Sequence, residues 1–333
     1  MKTNRSGARD IGSQLAAMLL ARPDEFVSGE QLSERLQCSR TAIWKHIQQL
    51  KQQGYEFESV PRLGYRLLRA PSRFDAGRFG QLLRTRTFGR PLLALDSVDS
   101  TQIVARRLVA EGAEEGALVV AEEQTAGRGR VGRRWHSPPG KGIWMSLVLK
   151  PDIPLVFTPQ LTLLTAVALC RTIKQETGLQ TGIKWPNDLL AGGRKLSGIL
   201  LESGADDQRL NHIIAGVGVS ANMAPQDFPE ELRSIATSLL IETGREVDRE
   251  SFVAAFLDQM EQLYELYGKE GFQPIRLLWE ASSITLQRPV KVATSHGVLE
   301  GIAVGLDESG ALLVRKPDGS VEKIYAGDVQ LPT

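Results

Sequence analysis

Residues 123–135 read Glu-Gln-Thr-Ala-Gly-Arg-Gly-Arg-Val-Gly-Arg-Arg-Trp, a run in which glycines and arginines are interleaved. Three glycines at alternate or near-alternate positions let the backbone approach an anion closely. The arginines supply fixed positive charge and forked donors that suit phosphate and carboxylate groups. On its own, such a run is more often a solvated loop or a nonspecific RNA contact. The pattern therefore indicates an anion-binding loop only if a second feature supports it.

A second short motif lies further along the chain, where residues 182–188 read Gly-Ile-Lys-Trp-Pro-Asn-Asp. The proline disfavours helical backbone at Trp185 and pushes this residue toward an extended conformation. Lys184 is therefore predicted to lie at the end of a strand, with its ammonium group aimed in a defined direction. A lone lysine before Trp-Pro is usually an ordinary surface residue, so its significance depends on the rest of the chain.

Toward the N-terminus, three helical patterns are followed by two short alternating segments. Ser28 and Ser39 are placed as N-caps of the second and third helices, and Gly54 is placed at the end of the third. Helices followed by a β-hairpin in this order indicate a winged helix-turn-helix domain over residues 1–70. The Ala-Pro-Ser stretch at 70–72 is interpreted as a linker.

The third helix, residues 39–53, is predicted to be a recognition helix for DNA. Ile43, Ile47 and Leu50 form its inward face. Short donors and cations on the outward face fit phosphate positioning and the reading of base edges. The candidate DNA-binding residues are Ser39, Arg40, Thr41, Trp44, Lys45 and Gln48. Winged helices also serve as protein–protein modules, but the two cations in this set favour DNA.

The central part of the chain alternates helix and strand patterns with many glycines, which is typical of an α/β organisation. Thr158-Pro159 is predicted to start an apolar helix that ends at Gly178, and Asp248 to start an amphipathic helix. We assign this central domain to residues 73–282.

The last residues, 283–333, change to short strands. Turns at 307–310 and 317–320 separate these strands. A small closed β-barrel fits this pattern. The fold class expected for the whole chain is therefore α+β and multidomain.

Composition excludes several classes of protein. Hydrophobic residues make up 42% and charged residues 24%, the balance of a soluble globular protein. No apolar run suits a transmembrane helix, and residues 1–10 do not resemble a signal peptide. Cys38, Cys170 and the four scattered histidines show no disulfide or zinc-ligand spacing, so we expect a cytoplasmic location. Residues 1–70 hold 11 Lys/Arg against 7 Asp/Glu, a mild indication that this end meets a polyanion.

Taken together, the two motifs resemble those of the biotin protein ligases of the bifunctional type, the biotin operon repressors. The resemblance covers essentially the whole chain. The matching stretches are Asp-Ser-Thr-Gln at 99–102, the glycine–arginine loop at 127–133, Lys-Trp-Pro-Asn-Asp at 184–188, Arg-Lys-Leu-Ser-Gly-Ile-Leu at 194–200 and Gly-Val-Gly-Val-Ser-Ala-Asn at 216–222. Gln102 departs from the commonest family residue, asparagine, and we expect its amide contact to survive with a longer reach. Val131 replaces an arginine of some members and leaves the loop one charge lighter.

This resemblance implies an architecture and a two-step reaction. The central domain is expected to bind biotin and ATP on a mixed sheet of the class II synthetase type, and the last domain to be an SH3-like barrel. The biotin carboxylate attacks the α-phosphorus of ATP, which gives biotinyl-5′-AMP and pyrophosphate. A lysine of biotin carboxyl carrier protein then attacks the mixed anhydride.

The resemblance also implies which residues form the site. The expected catalytic residues are Lys184, Arg128 and Arg130, because positive charge offsets the repulsion between a carboxylate and a triphosphate. The expected biotin-binding residues are Ser100, Thr101, Gln102, Gln124, Arg128, Gly129, Arg130 and Lys184. The expected nucleotide-binding residues are Arg128, Arg130, Asn187, Lys195 and Asn222. Trp135 and Trp144 are expected to be core residues or pocket walls.

Magnesium is expected with the pyrophosphate leaving group, and Asp188 is interpreted either as a magnesium ligand or as a helix cap. The implied partners are the carrier protein, operator DNA and a second copy of the chain, in a homodimer promoted by biotinyl-5′-AMP. A lipoate ligase shares the fold and the anhydride chemistry, and a repressor without catalysis is a further alternative. The two motifs and the N-terminal domain favour a biotin ligase that is also a repressor.

Overall fold

The structure is a computed structural model that describes residues 11–22, 25–52, 55–69, 73–206, 209–294 and 297–330. The chain divides into two compact units between Arg73 and Phe74. The N-terminal residues 1–10, the predicted helix end at Gly54 and the predicted linker at 70–72 lie outside the described residues.

The first unit combines three helices with a two-stranded wing. Its elements are α1 (Ile11–Leu20), α2 (Gly29–Arg35), α3 (Arg40–Gln52), β1 (Glu56–Val60) and β2 (Gly64–Arg69), the two strands being antiparallel. The Ser28 hydroxyl accepts a hydrogen bond from the backbone N–H of Gln31 at 3.1 Å. The Ser39 hydroxyl accepts one from the N–H of Ala42 at the same distance. Both predicted N-caps are therefore confirmed.

A compact apolar core holds this unit together. Ile43 and Ile47 of α3 are fully buried, as predicted for the inward face of the third helix, and Leu50 is 3% exposed. They pack with Leu15 and Leu19 of α1 and with residues of α2 and the wing. The opposite face of α3 is thereby turned to solvent.

The second unit is built on a seven-stranded mixed sheet. Its strands are β3 (Leu92–Val98), β4 (Leu118–Gln124), β5 (Ile143–Leu149), β6 (Gly182–Lys184), β7 (Asp188–Ala191), β8 (Arg194–Asp206) and β9 (Arg209–Val219). Their spatial order is β3-β4-β5-β9-β8-β7-β6, with β3 and β4 parallel and the other neighbours antiparallel. All side chains of β5 are buried, as in a strand covered on both faces.

Helices cover this sheet. They are α4 (Ala76–Leu82), α5 (Thr101–Ala110), α6 (Thr158–Thr177), α7 (Leu239–Thr243), α8 (Arg249–Glu270) and α9 (Gln273–Ser282). Gly178 follows α6 in a left-handed conformation with φ 75°, so the predicted helix end is confirmed. The Asp248 carboxylate accepts a hydrogen bond from the N–H of Ser251, which confirms the predicted start of α8.

The segment Leu155–Thr177 is the one helical stretch of the described residues that is long and apolar enough to cross a membrane, although the sequence had predicted none. Of its most apolar window, 61% is buried inside the protein. Its helix α6 packs against α8 and α9. This is the environment of a core helix.

The C-terminal part of the second unit forms a five-stranded antiparallel sheet. Its strands are β10 (Pro289–Thr294), β11 (Gly297–Leu306), β12 (Leu312–Arg315), β13 (Val321–Ile324) and β14 (Asp328–Gln330), in the order β13-β12-β11-β10-β14. The sequence pattern predicted the first four of these strands but not β14. The predicted turns at 307–310 and 317–320 lie between strands, as expected.

Hydrogen bonds from Trp185 attach this C-terminal sheet to the central one. The indole N–H of Trp185 donates to the carbonyl of Gly310 at 3.3 Å, and its backbone N–H donates to the Thr285 hydroxyl at 2.9 Å. Trp185 is only 2% exposed. The tryptophan of the Lys-Trp-Pro motif is therefore a packing residue that holds two sheets together, and it leaves the strand end at Lys184 beside their junction.

Candidate active site

A cavity of about 500 Å³ lies in the second unit. It brings together parts of all five stretches that the sequence singled out. Its lining residues are Ser100, Thr101, Gln102, Gln124, Arg128, Gly129, Arg130, Val131, Arg133, Arg134, Trp135, Met145, Asn187, Asp188, Lys195, Gly198, Ile199, Leu200, Gly216, Val217, Gly218, Ala293, Ala326, Gly327 and Asp328. Among them, the neutral polar residues Ser100, Thr101, Gln102 and Gln124 are called the neutral end. The charged residues Arg128, Arg130, Arg133, Asp188, Lys195 and Asp328 are called the charged end.

At the neutral end, a hydrogen-bond network holds the start of α5. The side-chain oxygen of Gln124 accepts from both the backbone N–H and the hydroxyl of Thr101, at 2.9 and 3.1 Å. The amide nitrogen of Gln124 donates to Ser137 at 2.9 Å, and Ser146 donates to the Thr101 hydroxyl at 2.8 Å. The Ser100 hydroxyl, by contrast, is fully buried and has no partner. A buried hydroxyl of this kind is a group that a ligand can satisfy.

Gln102 uses its extra length to reach across the sheet. Its amide nitrogen donates to the carbonyls of Leu200 and Ile214, at 3.2 and 3.4 Å, and to the Glu202 carboxylate at 3.2 Å. Its amide oxygen is buried and has no partner. The side chain passes over Gly216, where an added Cβ would lie only 2.9 Å from the Gln102 Cδ. Gln102 can therefore offer the cavity an acceptor, while its donor is already used.

The glycine–arginine loop folds back on itself. The Gly129 N–H donates to the carbonyl of Arg133 at 2.7 Å, and the Trp135 N–H donates to the carbonyl of Gly127 at 2.9 Å. A Cβ at Gly127 would lie 2.4 Å from the Trp135 carbonyl oxygen, so the close approach of the two backbones needs glycine there. Val131, at the tip, is 92% exposed.

Two arginines of the loop are held by polar partners on the sheet. Arg128 forms an ion pair with Glu202 at 3.3 Å. Arg130 donates to the side-chain oxygen of Asn187 at 3.0 Å, and the Asn187 amide nitrogen donates to the carbonyl of Ile199. Burial lowers the pKa of Arg130, while the nearby carboxylate of Asp188 acts in the opposite direction. Because the ordinary pKa of arginine is so high, this guanidinium remains charged at neutral pH.

The lysines occupy different positions around the charged end. Lys195 forms an ion pair with Asp188 at 2.8 Å, and its ammonium lies 5.3 Å from the centre of the Trp135 ring. Lys184 ends β6, as predicted, and pairs in register with Asp188. It is not among the lining residues of the cavity. Asp188 begins the strand β7, so the alternative interpretation of this residue as a helix cap was wrong.

Asn222 is placed apart from the other predicted nucleotide-binding residues. Its amide nitrogen donates to the carbonyl of Val247 at 2.9 Å, and its oxygen accepts from the Val247 N–H at 2.8 Å. It is not among the cavity residues. Trp135 does line the cavity, whereas Trp144 is fully buried, so the expectation of a pocket wall and a core residue is confirmed.

The C-terminal sheet contributes residues that the sequence did not indicate. Ala293, Ala326, Gly327 and Asp328 line the cavity. The Asp328 carboxylate forms an ion pair with Arg133 of the glycine–arginine loop at 2.5 Å. Burial raises the pKa of Asp328, but the hydrogen bond from Arg133 and the charges of Lys184 and Lys195 outweigh it and lower that pKa overall. Glu202 was missed as well, because nothing in its local sequence indicates that it faces Arg128.

Comparisons with known proteins agree with this site. Residues 94–220 match the model of the biotin/lipoate A/B protein ligase family, residues 13–66 a helix-turn-helix domain, and residues 285–331 the biotin protein ligase C-terminal domain. The bifunctional ligase/repressor BirA of Bacillus subtilis is 46% identical over 92% of this chain and 94% of its own length. The chain belongs to the bifunctional ligase/repressor family.

More distant members of this family and a solved ligase structure extend the comparison. The bifunctional ligase/repressor BirA of Escherichia coli is 32% identical over 97% of this chain and 98% of its own length. The structure of the biotin protein ligase from Aquifex aeolicus in complex with biotin and ATP is 30% identical, with a TM-score of 0.63. The match covers 73% of this chain and 99% of the Aquifex chain. The Aquifex ligase is therefore matched over nearly its whole length.

The helix-turn-helix unit of this family member presents the outward face of α3. Ser39, Arg40, Thr41, Trp44 and Lys45 are exposed, and Gln48 is half-buried. Trp44 is 53% exposed, an unusual position for so large an apolar side chain. Arg40 pairs with Glu30 of α2 at 2.7 Å across an exposed surface. The predicted DNA-binding residues therefore share one accessible face.

Proposed function

We propose that this chain is an ATP-dependent biotin protein ligase that forms biotinyl-5′-AMP, transfers biotin to a lysine of biotin carboxyl carrier protein, and acts as a biotin-responsive repressor of biotin genes. The observation that carries the enzymatic part is the cavity. It places unsatisfied neutral polar groups at one end and a set of cations at the other. Biotin has the same division, since its ureido ring is neutral and polar and its valerate carboxylate is negative.

The neutral end would hold the ureido ring. Its carbonyl needs donors and its two N–H groups need acceptors. The Ser100 hydroxyl and the Gln102 amide oxygen are buried without partners, which supports their assignment to this ring. Thr101 and Gln124 would complete the contacts and fix the walls of the slot. The low dielectric of a closed slot would make each of these hydrogen bonds more discriminating.

At the charged end, the carboxylate of biotin would meet the α-phosphate of ATP. An oxygen of the carboxylate attacks the phosphorus, the bond to pyrophosphate breaks, and a mixed anhydride forms. The two reactants repel each other, so cations must offset their charge. Arg128, Arg130 and Lys184 would do this, with Lys184 reaching in from the end of β6 when the ligands are bound. Asn187, Lys195 and Asn222 are assigned to the nucleotide side, and for Asn222 the contact would have to compete with Val247.

The second step would use the same site. The neutral amine of the carrier lysine attacks the acyl carbon of the anhydride, AMP leaves, and the amine proton passes to solvent or to the departing phosphate. The backbone of Arg128, Gly129 and Arg130 would cover the intermediate in the meantime. Exclusion of water protects an anhydride from hydrolysis.

Magnesium would be held chiefly by the phosphates of ATP, with Asp188 as a protein ligand. The described residues contain no group of three or more His, Cys, Asp or Glu side chains arranged to hold a metal ion. One carboxylate plus substrate phosphates is an ordinary magnesium site, so the residues fit the ion. Asp188 would have to exchange its ion pair with Lys195 for the metal. The metal would then neutralise charge on the leaving pyrophosphate.

We assign three domains, at residues 1–70, 73–282 and 283–333, with a class II synthetase-like central domain and an SH3-like C-terminal barrel. The division into two units near residue 73 and the three family matches support these boundaries. A cytoplasmic location follows from the proposed use of ATP and operator DNA. The acceptor protein and the operator would both be found there.

A direct test of the ligase is pyrophosphate exchange. Purified protein with ATP and labelled pyrophosphate should form labelled ATP when biotin is added, and not when lipoate is added. Exchange that depends on lipoate alone would assign the chain to the lipoate ligases instead. Labelled biotin should then appear on the lysine of a carrier domain, and its absence there would exclude the transfer step.

The repressor part predicts that biotinyl-5′-AMP promotes a homodimer. One recognition helix covers a short half-site, whereas a symmetric pair reads two half-sites at once. The ligand can shift this equilibrium only if it interacts differently with the two assembly states, and the glycine–arginine loop would supply that difference. Sedimentation velocity with and without biotin plus ATP, beside a DNA titration at fixed salt, tests this link. Unchanged dimer population and DNA affinity would leave two unlinked activities.

A further inference from the structure

We propose that Asp328 is a positioning residue that ties the glycine–arginine loop to the C-terminal sheet through Arg133, and thereby keeps the loop closed over the activated intermediate. This inference rests on the proposed function, because it concerns the retention of biotinyl-5′-AMP. It gives the C-terminal sheet a defined part in the reaction, although the sequence pattern of that sheet indicates only packing.

The geometry supports a tether rather than a chance surface contact. Arg133 and Asp328 lie 195 residues apart in the sequence, yet they form an ion pair and both line the cavity. The loop is already closed at its base by the bond between Trp135 and Gly127. The bond to Asp328 fastens a point nearer the exposed tip at Val131. The loop is thus closed at its base by its own backbone and tied at a second place to the C-terminal sheet.

Asp328 is suited to this role because its own backbone is firmly placed. It starts β14 and pairs in register with Ala293 of β10. The next residue, Val329, is fully buried in the core. Gly327 lies so close to β10 that an added Cβ would meet a Val292 methyl at 2.6 Å, which holds the approach to β14 tightly against its neighbour.

The charges around Asp328 also favour a persistent pair. The charges of Arg133, Lys184 and Lys195 act on its carboxylate. Asp328 in turn acts on Arg130, where its charge partly offsets the lowering of the guanidinium pKa by burial. Opposing this, burial alone favours the neutral carboxyl group. The net result is a lowered pKa for Asp328, so it stays ionised at neutral pH. The carboxylate can therefore act as an anchor at neutral pH.

The expected size of the effect on adenylate retention follows from the solvent exposure of the two side chains. The side chains of Arg133 and Asp328 are 67% and 51% exposed, and ion pairs of that kind are individually weak. We expect loss of the pair to speed the escape or hydrolysis of the intermediate by about two- to fivefold. The affinity for biotin should change less, since neither residue is assigned to the biotin end.

The test uses Asp328→Asn, Arg133→Gln and the double variant of the full-length chain. Adenylate is formed from biotin and ATP labelled in the α-phosphate, separated from free nucleotide, and the loss of bound label is followed. Each single variant should lose label about two- to fivefold faster, and the double variant no faster than the singles. Glu300→Gln is the matched control, because Glu300 forms a similarly exposed pair with Lys291 in the same sheet.

The dependence of label loss on ionic strength distinguishes an electrostatic tether from a purely structural role of Asp328. Raising salt from about 0.05 to about 0.5 M should speed label loss from the wild type toward the rate of the variants, because exposed pairs are screened. The Asp328→Asn rate should depend less strongly on salt than the wild-type rate, because only the other charge contacts of the ligand remain to be screened. Equal sensitivity of the wild type and this variant would overturn the proposal.

The remaining outcomes distinguish failure of the tether from failure of the proposed function. A wild type that exchanges pyrophosphate with biotin, beside variants that retain label equally well, refutes the tether and leaves the proposed function intact. A wild type without biotin-dependent exchange refutes the proposed function itself. If the effects of the two substitutions multiply in the double variant, Asp328 does not act through Arg133. Should Asp328→Asn fold poorly, Arg133→Gln carries the test alone, since its side chain is exposed.

Discussion

Replacement of Gly127 by alanine gives a sharp test of how the glycine–arginine loop works. The added Cβ would lie 2.4 Å from the Trp135 carbonyl oxygen and 2.8 Å from the Ser137 hydroxyl, closer than real Cβ contacts allow. The obstacle is backbone, so the two arms of the loop must separate by roughly half an ångström or more, and misplacement by about 1 Å can cost about 10²-fold in rate. We expect the rate of biotin-dependent pyrophosphate release to fall by about 10- to 100-fold.

The same substitution should leave the protein folded. Overpacking of this kind costs about 1–3 kcal/mol, less than the stability of an ordinary domain. Thermal unfolding followed by circular dichroism checks this, together with pyrophosphate release at saturating biotin and ATP. Gly80→Ala is the control, because a Cβ there meets nothing within 4 Å and the residue lies inside α4. A Gly127→Ala variant that keeps the wild-type rate would show that the close approach of the loop arms has no part in adenylation.

Three further predictions concern the charged end, the unit boundary and acid stability. Lys184→Ala should lower the adenylation rate by about 10²–10³ without unfolding the protein, and near wild-type pyrophosphate release would remove Lys184 from the catalytic set. A chain that begins at residue 72 should still biotinylate a carrier but lose specific DNA binding, because Phe74 already bonds to Glu122 within the second unit; an inactive or insoluble product would show that the proposed boundary is wrong. A hydrogen bond from Arg78 holds the pKa of Asp248 at about 2, below its value in the unfolded chain. This carboxylate therefore stabilises the fold fully above the unfolded pKa, and the contribution is lost as pH falls from there through the folded pKa. Asp248→Asn can still cap α8, and it should lower stability at neutral pH by at most about 1 kcal/mol and flatten the loss between about pH 4 and about pH 2; an unchanged acid unfolding curve would contradict this.

Local features of this protein could be predicted because the interactions that cause them span only a few residues. Ser28 and Ser39 start helices by bonding to N–H groups three positions ahead, and Gly178 ends α6 because it adopts a left-handed backbone without strain. The glycine–arginine loop and the Lys-Trp-Pro motif carry their chemistry in consecutive residues. Their joint occurrence was enough to indicate the family that the comparisons then showed.

Tertiary structure alone decided which distant residues meet. Nothing near Glu202 indicates that it would pair with Arg128, since that contact depends on how the loop after β4 folds over β8 of the same sheet. Nothing near Asp328 indicates that it would reach Arg133, since that contact depends on how the C-terminal sheet packs beside the loop. The strand β14 was missed because three residues are too short for an alternating pattern to be distinctive. Lys184 shows the same division. Its place at a strand end follows from the proline two residues later. The placement of that strand end beside the C-terminal sheet depends on the packing of Trp185, which bonds to Gly310 and Thr285. Backbone preferences act locally, whereas the composition of a site depends on long-range packing that no short stretch of sequence contains.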